Sequence, residues 1–411
     1  MRMNRSQFLA VMTAMLMSVA AVVPTQAAVV QAEGVWYELD EQRHTATVTC
    51  NDALRREGQP TYSEAVAITI PATINLPAAN SPKPAAYKVT AVGDYAFYGA
   101  QVTAVHLPEG VTDIGIVAFA DCQNLETVSI PNTVTRIGEM AFARCGRLQS
   151  ARIPDKVKTI EPQLFYECAG MSEVTIGKSV TRIGDGAFAG CGALQTVTLP
   201  DVVTQIGLQA FKGCTALKHI GLGKKLQRMD EGIFLNCTAL EEVTLPQSVQ
   251  MMAEEMFRGC SSLRQVVMPA NIQRVPIMTF ADCVHLKQVT LGKKVTQIGD
   301  SAFVRCIRLE AFVIPKPVAT IGAGAFKQCK AIRNMEIAET VTSIGDEAFA
   351  ECKSLTAILF LTKTPPALGK DVFRNTAGKG NYQYINVPCG AGGRYKSAWQ
   401  PNKGAVRELC E

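Results

Sequence analysis

The sequence is poor in the residues that active sites and nucleic-acid surfaces usually require. Its 411 residues include four histidines and two tryptophans, and the formal net charge is +5, to which Arg2 and Arg5 contribute two charges. No cysteine pair has the C-x₂-C spacing of a zinc site, and no glycine-rich stretch has the spacing of a nucleotide-binding loop. We therefore predict no catalytic residues, no metal, no cofactor and no nucleic-acid partner.

Long apolar runs are also missing beyond the N-terminus. The run Phe8–Val23 has 16 residues, which is short of the ~20 that span a membrane. Two arginines precede it and small residues follow it, as is typical of a signal peptide. We predict a signal peptide over residues 1–27, with cleavage after Ala27 or as late as Ala32, and an uncleaved anchor is the alternative. The mature protein is then expected at the cell surface or outside the cell, without a membrane span, and the periplasm is the alternative location.

The cysteines, in contrast, are abundant and regularly spaced. Eleven of the fourteen recur every 23 residues, and eleven phenylalanines keep the same period three residues earlier. This regularity indicates an internal repeat, whereas a disulfide framework has no such period. The repeated cysteines are Cys122, Cys145, Cys168, Cys191, Cys214, Cys237, Cys260, Cys283, Cys306, Cys329 and Cys352.

One copy of the repeat unit reads LETVSIPNTVTRIGEMAFARCGR, residues 125–147. Its L-x-x-V-x-I part has the near alternation of a short strand, after which a Pro or Gly turns the chain. The V-T-x-I-G part predicts a second short extended piece, and the A-F-x-x-C part predicts a single helical turn. One such unit cannot bury its apolar side alone. The period therefore predicts a β-rich solenoid of leucine-rich-repeat type, with stacked units and a cap at both ends.

The pattern I-P-x-x-V-T-x-I-G-x-x-A-F-x-x-C-x-x-L resembles the BspA-like leucine-rich repeats of bacterial surface and secreted proteins. We expect the solenoid over residues 89–361, an N-terminal β cap over residues 28–88 and a C-terminal cap over residues 362–411. Three adjacent units replace the I-G dipeptide, and their packing is expected to differ. The replacements are Met229-Asp230, Met252-Ala253 and Val275-Pro276.

The resemblance implies adhesion to host matrix proteins or to other microbes.

Three interpretations of the repeated cysteines compete. A column of buried thiols is favoured, because Cys is a small apolar residue whose thiol can donate to a loop carbonyl. Disulfides along the column are compatible with a strand spacing of ~4.8 Å. However, eleven is an odd number, and the sequence repeats with every unit rather than with every second one. Metal binding or nucleophilic catalysis is the third interpretation, and it lacks a regularly placed histidine as base.

Two cysteines near the C-terminus stand outside this series. Cys389 and Cys410 are 21 residues apart, and in an exported chain we expect a disulfide between them. Such a bridge would stabilise the C-terminal cap by about 3 kcal/mol through loop closure. Cys50 has no evident partner in the sequence.

Two outward-facing columns of the repeat are the candidate ligand surface. One lies on the first strand and is rich in threonine, whereas the other lies on the second strand, where arginine recurs in every second unit. Both have an ordinary explanation as solvated faces, since Thr suits strands. As binding surfaces, the first would hold a protein or a glycan, and the second an acidic partner such as a sulphated glycan. The residues are Thr175, Thr198, Thr244 and Thr290 in the first column, and Arg136, Arg182, Arg228 and Arg274 in the second.

The threonine column becomes more apolar towards its C-terminal half. Val267, Val313 and Leu359 stand there in place of polar residues, which makes that half the more adhesive one. We therefore expect a secreted or cell-surface, non-catalytic binding protein that holds an extracellular protein or matrix ligand. A glycan-capturing accessory protein and a structural protein of an envelope layer are the alternatives.

Overall fold

A computed structural model describes residues 28–52, 60–78, 81–310, 312–376, 384–399 and 405–410. These residues stack short strands into a β-solenoid of about 13 turns, which confirms the predicted fold class. The predicted signal peptide, residues 1–27, lies outside the described residues. Within the described part of the chain, no helix has the length and apolarity that a membrane crossing needs.

The N-terminal cap is built on a hairpin that leads into the first unit. The alternation of β2 buries Tyr37 and exposes Glu38, so one face of the hairpin is available to cover the core. β2 pairs antiparallel with both β1 and β3. β3 also pairs with β6 in parallel, and β6 pairs with β5 antiparallel. The strands are β1 (Val29–Ala32), β2 (Val35–Asp40), β3 (Thr45–Thr49), β4 (Ala67–Thr69), β5 (Thr73–Ala78) and β6 (Ser81–Val92).

Two series of parallel strands then run along the solenoid. The A strands follow the L-x-x-V-x-I part of each unit: β7 (Ala104–His106), β9 (Thr127–Ser129), β11 (Ser150–Arg152), β13 (Glu173–Thr175), β15 (Thr196–Thr198), β17 (His219–Gly221), β19 (Glu242–Thr244), β21 (Gln265–Val267), β23 (Gln288–Thr290), β26 (Asn334–Ile337) and β28 (Ala357–Phe360). Two strands near the C-terminus continue this series without the repeat pattern: β30 (Tyr384–Pro388) and β31 (Val406–Leu409). The B strands follow the V-T-x-I-G part: β8 (Asp113–Ile114), β10 (Arg136–Ile137), β12 (Thr159–Ile160), β14 (Arg182–Ile183), β16 (Gln205–Ile206), β18 (Arg228–Met229), β20 (Met251–Met252), β22 (Arg274–Val275), β24 (Gln297–Ile298), β25 (Thr320–Ile321), β27 (Ser343–Ile344) and β29 (Ala367–Leu368).

Strands of one series pair in the register of the repeat. In the A series, Val266 lies beside Val289, and in the B series Ile183 lies beside Ile206. Each strand buries its apolar residue and exposes the flanking ones, as the period of two requires. Strand pairing places equivalent residues of successive units side by side, so a column in the sequence is a column on the surface.

The A-F-x-x-C segment, predicted as a helical turn, is instead a pair of tight turns. In one unit the Ala120 N–H donates to the Val117 carbonyl at 3.1 Å, and the Cys122 N–H donates to the Phe119 carbonyl at 3.3 Å. Val117 and Asp121 are left-handed, with φ of 60° and 59°. This conformation points alternate N–H groups at the next unit, whereas a helical turn would direct them along its own axis. The turn segments therefore add a third inter-unit ladder.

Phenylalanine rings fill the centre of the solenoid as one continuous stack. From Phe97 to Phe373, successive ring centroids lie 4.9–5.9 Å apart with interplanar angles of 1–19°. Tyr62 stacks on Phe97 at 4.5 Å and covers one end of this column. At the other end, Trp399 follows the short helix α1 (Gly392–Ala398) and lies 6.4 Å from Phe373. The caps thus cover apolar rings that would otherwise face water.

The glycine of the I-G dipeptide allows neighbouring units to approach each other closely. A Cβ at Gly138 would lie 2.5 Å from a backbone nitrogen of the preceding unit, and the Gly138 N–H donates to the Ile114 carbonyl at 2.8 Å. Asp230 and Ala253 replace the glycine but keep this bond. Pro276 has no N–H to donate, and the B-strand sheet ends at β20 and resumes at β22. Of the three replacements, Pro276 is the one that accompanies an interruption.

The ring stack predicts a large cost for removing one ring. Phe211 is fully buried between Phe188 and Phe234, at 5.1 and 5.9 Å. We expect Phe211→Ala to lower the free energy of unfolding by about 3–5 kcal/mol, because a cavity replaces the ring. Urea denaturation at equilibrium measures this loss, and Phe211→Leu, which keeps most of the volume, should cost less. A loss below about 1 kcal/mol in the alanine variant would place Phe211 outside the core.

Candidate binding surface

The repeated cysteines lie in the interior and make one contact in common. Each Sγ donates to the carbonyl of the phenylalanine in the preceding unit, at 2.9–3.2 Å. All eleven are free thiols that are fully buried. A disulfide between neighbours would take away this donor, so the geometry is that of a hydrogen-bonded thiol column.

Burial also removes the nucleophilic character of these thiols. It raises the pKa of Cys191 well above its usual range, and the neighbouring thiols Cys214 and Cys168 add to the shift. For Cys237, burial raises the pKa to about 12. A thiol with such a pKa stays protonated at neutral pH, whereas nucleophiles and metal ligands need the thiolate. The column is therefore a structural feature.

The thiol column predicts a specific titration result. Besides Cys389 and Cys410, the structure contains twelve free cysteines, all buried. We expect twelve reactive thiols under denaturing, non-reducing conditions and almost none in the native protein, because buried protonated thiols are slow to react. Measurement with a chromogenic disulfide reagent checks both numbers. Two or fewer thiols after denaturation would mean that the column is oxidised.

Cys389 and Cys410 form a disulfide in the structure, with a Cα–Cα distance of 4.8 Å. The bridge joins the end of β30 to the end of β31, which are paired in parallel. Among the described residues, the one cluster of three potential metal ligands consists of these two cysteines and Glu408. Because both sulfurs are used in the bridge, the cluster does not offer the thiolates that a metal site would need.

The threonine column lies on the outer face of the A strands, hereafter the A face. Thr175, Thr198, Thr244 and Thr290 are all exposed there. Strand pairing sets Val267 between Thr244 and Thr290. Val267 is 56% exposed and Val313 is 79% exposed, so two large apolar side chains stand in a polar surface.

A groove opens around Val313, at one of the three places where the A-strand series of the described residues is divided between sheets. β23 ends one sheet and β26 begins the next, and the described residues between them form no A strand. At the buried strand position, where other units have a smaller side chain or an unbranched Met, this unit has Phe312. Its ring packs edge-on against Phe303 and Phe326, at 4.9 and 4.8 Å. The larger ring leaves less room for a regular strand.

The groove has a volume of about 980 Å³ and combines apolar and charged groups. Ile307, Val313 and Leu359 supply apolar surface, while Arg333 and Glu336 stand beside them. An apolar centre with a polar border is the usual composition of a protein-binding surface. The columns in the sequence identified Val313 and Leu359 as apolar positions, but they did not predict the groove. The one sign of it in the sequence is the large Phe312 at the buried strand position.

The arginine column lies on the outer face of the B strands, and the structure divides it. Arg182 and Arg228 belong to one sheet, with Gln205 between them. Arg136 lies in the preceding sheet and Arg274 in the following one. The Arg228 Nε also donates to Asp230 at 2.6 Å, which offsets part of its charge. Neutral residues, Thr159, Gln205 and Met251, also separate successive arginines, so the four guanidinium groups do not form one continuous positive stripe.

Comparison with known proteins identifies the family. The model of the BspA type leucine-rich repeat region, in 6 copies, matches residues 90–207, 181–310 and 255–379. Because these matches span well over half of the chain, the protein belongs to the BspA-type leucine-rich repeat family. Among curated proteins, none matches this chain.

Solved structures of bacterial repeat proteins share the fold. A leucine-rich repeat protein from Bacteroides ovatus ATCC 8483 is 20% identical, with a TM-score of 0.58 over 95% of this chain and 100% of its own. A leucine-rich cell surface protein from Faecalibacterium prausnitzii A2-165 is 26% identical, with a TM-score of 0.50 over 83% and 96%. The pneumococcal vaccine antigen PcpA is 15% identical, with a TM-score of 0.55 over 94% and 100%. A leucine-rich repeat solenoid is typically a binding scaffold without catalysis.

Proposed function

We propose that this protein is an exported, non-catalytic binding protein that holds an extracellular protein on its A face. The observation that carries the proposal is the pair of exposed valines, Val267 and Val313, with the groove beside the second. Val313 shares the groove with Ile307 and Leu359, and an apolar lining of this kind is typical of interaction sites. Threonines between and beside them can donate and accept hydrogen bonds at the border.

Similarity to a surface protein supports the location. The Faecalibacterium prausnitzii protein described above is named as a cell surface protein, and it is 26% identical to this chain. Family membership and the predicted signal peptide agree with display outside the cytoplasm. Cleavage after Ala27 would keep β1, which pairs with β2, whereas cleavage after Ala32 would remove it. We therefore favour Ala27 as the last residue of the signal peptide.

A protein ligand is favoured over an acidic glycan. A sulphated chain needs a continuous row of positive charge, because each contact between exposed ions is weak. The arginine column is spread over three sheets, and Arg228 is already paired. In the groove of the A face, Lys330 and Arg333 are balanced by Glu310 and Glu336, so the groove offers no net positive charge to such a glycan, whereas its apolar lining can hold apolar side chains of a protein.

The test is capture of the mature chain by immobilised extracellular matrix proteins. A Val267→Ser/Val313→Ser variant should bind at least about tenfold more weakly, because two exposed apolar anchors are lost from the centre of the surface. Both side chains are exposed, so the thermal midpoint should change little. Surface plasmon resonance measures the binding, and circular dichroism checks the fold.

Two control variants make this result specific. Met251→Ser removes an apolar side chain that is 45% exposed on the B strands, and it should leave capture unchanged. Replacing the arginine column with serine should also leave it unchanged. Loss of capture in the arginine variant, with full capture in the valine variant, would contradict a protein site on the A face. The four arginines to replace are Arg136, Arg182, Arg228 and Arg274.

A further inference from the structure

The turn segments form a third face of the solenoid, and one unit on this face has glycine at three positions, one of which, Gly190, is also glycine (Gly213) in the next unit. Gly186, Gly190 and Gly192 stand beside the buried Phe188 and Cys191. The three glycines lie in an open depression of about 1150 Å³ whose lining extends from Gln123 to Asn236, and its part around Gly186 and Gly190 is hereafter the glycine notch. This glycine notch is remote in the repeat from the A-face residues described above.

The backbone does not oblige this unit to use glycine. Gly186 is left-handed, with φ of 59°, but Gln163 and Gln209 occupy the same repeat position with φ of 53°. Gly192 is outside the left-handed region of backbone conformation. Lys330 occupies the same repeat position in a later unit. The fold therefore accepts side chains at these positions, and their absence here creates space.

The two walls of the notch offer different surfaces. Tyr166 and Glu167 come from the preceding unit, and Leu208 and Lys212 from the following one. Tyr166 packs against a small buried cluster that includes Met140. Leu208 is 41% exposed and adds an aliphatic surface on the other side of the glycine-bearing unit. An aromatic and an aliphatic wall suit a ligand with apolar faces.

The charges that line the notch cancel. Glu167 and Asp185 are opposed by Arg144 and Lys212. The Lys212 Nζ donates to Gln209 at 2.9 Å, and an Asp185 carboxylate oxygen accepts the Leu208 N–H at 2.9 Å. A balanced set of donors and acceptors selects for a neutral ligand with many hydrogen-bonding groups, since a charged one would gain no net attraction.

One polar atom at the notch lacks a partner. The Oε1 atom of Gln163 is shielded from solvent and has no hydrogen bond within the described residues. Such an amide oxygen is costly to bury unpaired. The Gln163 side chain lines the notch, and its Cγ lies 3.3 Å from where a Cβ of Gly186 would stand. Rotation of the amide towards the space left by Gly186 would allow a ligand hydroxyl to donate to this oxygen.

We propose that the glycine notch binds a neutral hexopyranose residue of a glycan. The apolar C–H face of a pyranose ring can lie on Tyr166, while its hydroxyls meet the carboxylates and amides around it. Each hydroxyl both donates and accepts, which matches the mixed lining. For one sugar ring in an open notch, we expect a dissociation constant on the order of millimolar.

The test is saturation-transfer NMR and calorimetric titration of the whole mature chain with methyl glycosides of glucose, galactose and mannose. Gly186→Gln introduces the side chain that Gln209 carries at the same repeat position, and it should weaken binding at least about tenfold by taking up the space beside Gln163. The matched control is Gly324→Gln. Gly324 has φ of 60° and the same nearest Cβ contact of 3.3 Å, but it lies outside the notch.

The parent and Gly324→Gln should bind the same glycoside with equal affinity. Equal affinity in Gly186→Gln, or no saturation transfer to any of the three glycosides at up to about 50 mM, would overturn the proposal. Capture of matrix proteins uses the A face, so Gly186→Gln should retain it. This separates failure of the sugar site from failure of the proposed function.

Discussion

Burial of each unit against the next is the constraint on which the whole molecule depends. A single 23-residue unit has an apolar side but no partner within itself. The phenylalanine rings stack across every unit boundary, and each cysteine thiol donates across the same boundary. Inward positions are therefore committed to packing. Variation is left to the outward positions of the A strands, the B strands and the turn segments.

Both candidate sites arise where one unit departs from the repeat in side-chain size. Phe312 is larger than its equivalents inside the solenoid, and the A-strand sheet is interrupted beside it. Gly186 is smaller than Gln163 and Gln209, which occupy its position in the two flanking units, and it opens space within a wider depression. A regular solenoid offers only a uniform surface, so a departure of either kind creates a concave site in an otherwise even face.

The fold was predictable because the residues that face the interior recur at fixed positions of the repeat. The period gave the stacked units, the strand pattern and the inward position of residues such as Cys191 and Phe188. The turn segment was predicted wrongly as helical, because a β-branched residue such as Val117 seldom adopts positive φ, and only the inter-unit ladder explains it. The glycine notch was not predicted, because the glycines of the repeat were interpreted only as turn residues. Glu161, which also replaces the glycine of the I-G dipeptide, was overlooked. It lies where one B-strand sheet ends at β10 and the next begins at β12.

The missing N–H of Pro276 has a mechanical consequence. In a linear array, stability is a sum over neighbouring interfaces, so the weakest interface limits how far unfolding spreads. The break in the B ladder at Pro276 lies close along the chain to the break in the A ladder at Phe312. A second set of breaks lies nearer the N-terminus, between β9 and β11, between β10 and β12 and between β13 and β15. The weaker interfaces are thus concentrated in two regions of the solenoid. A tether pulled at its C-terminal end would then lengthen in stages, and the units beyond β26 would open before the rest.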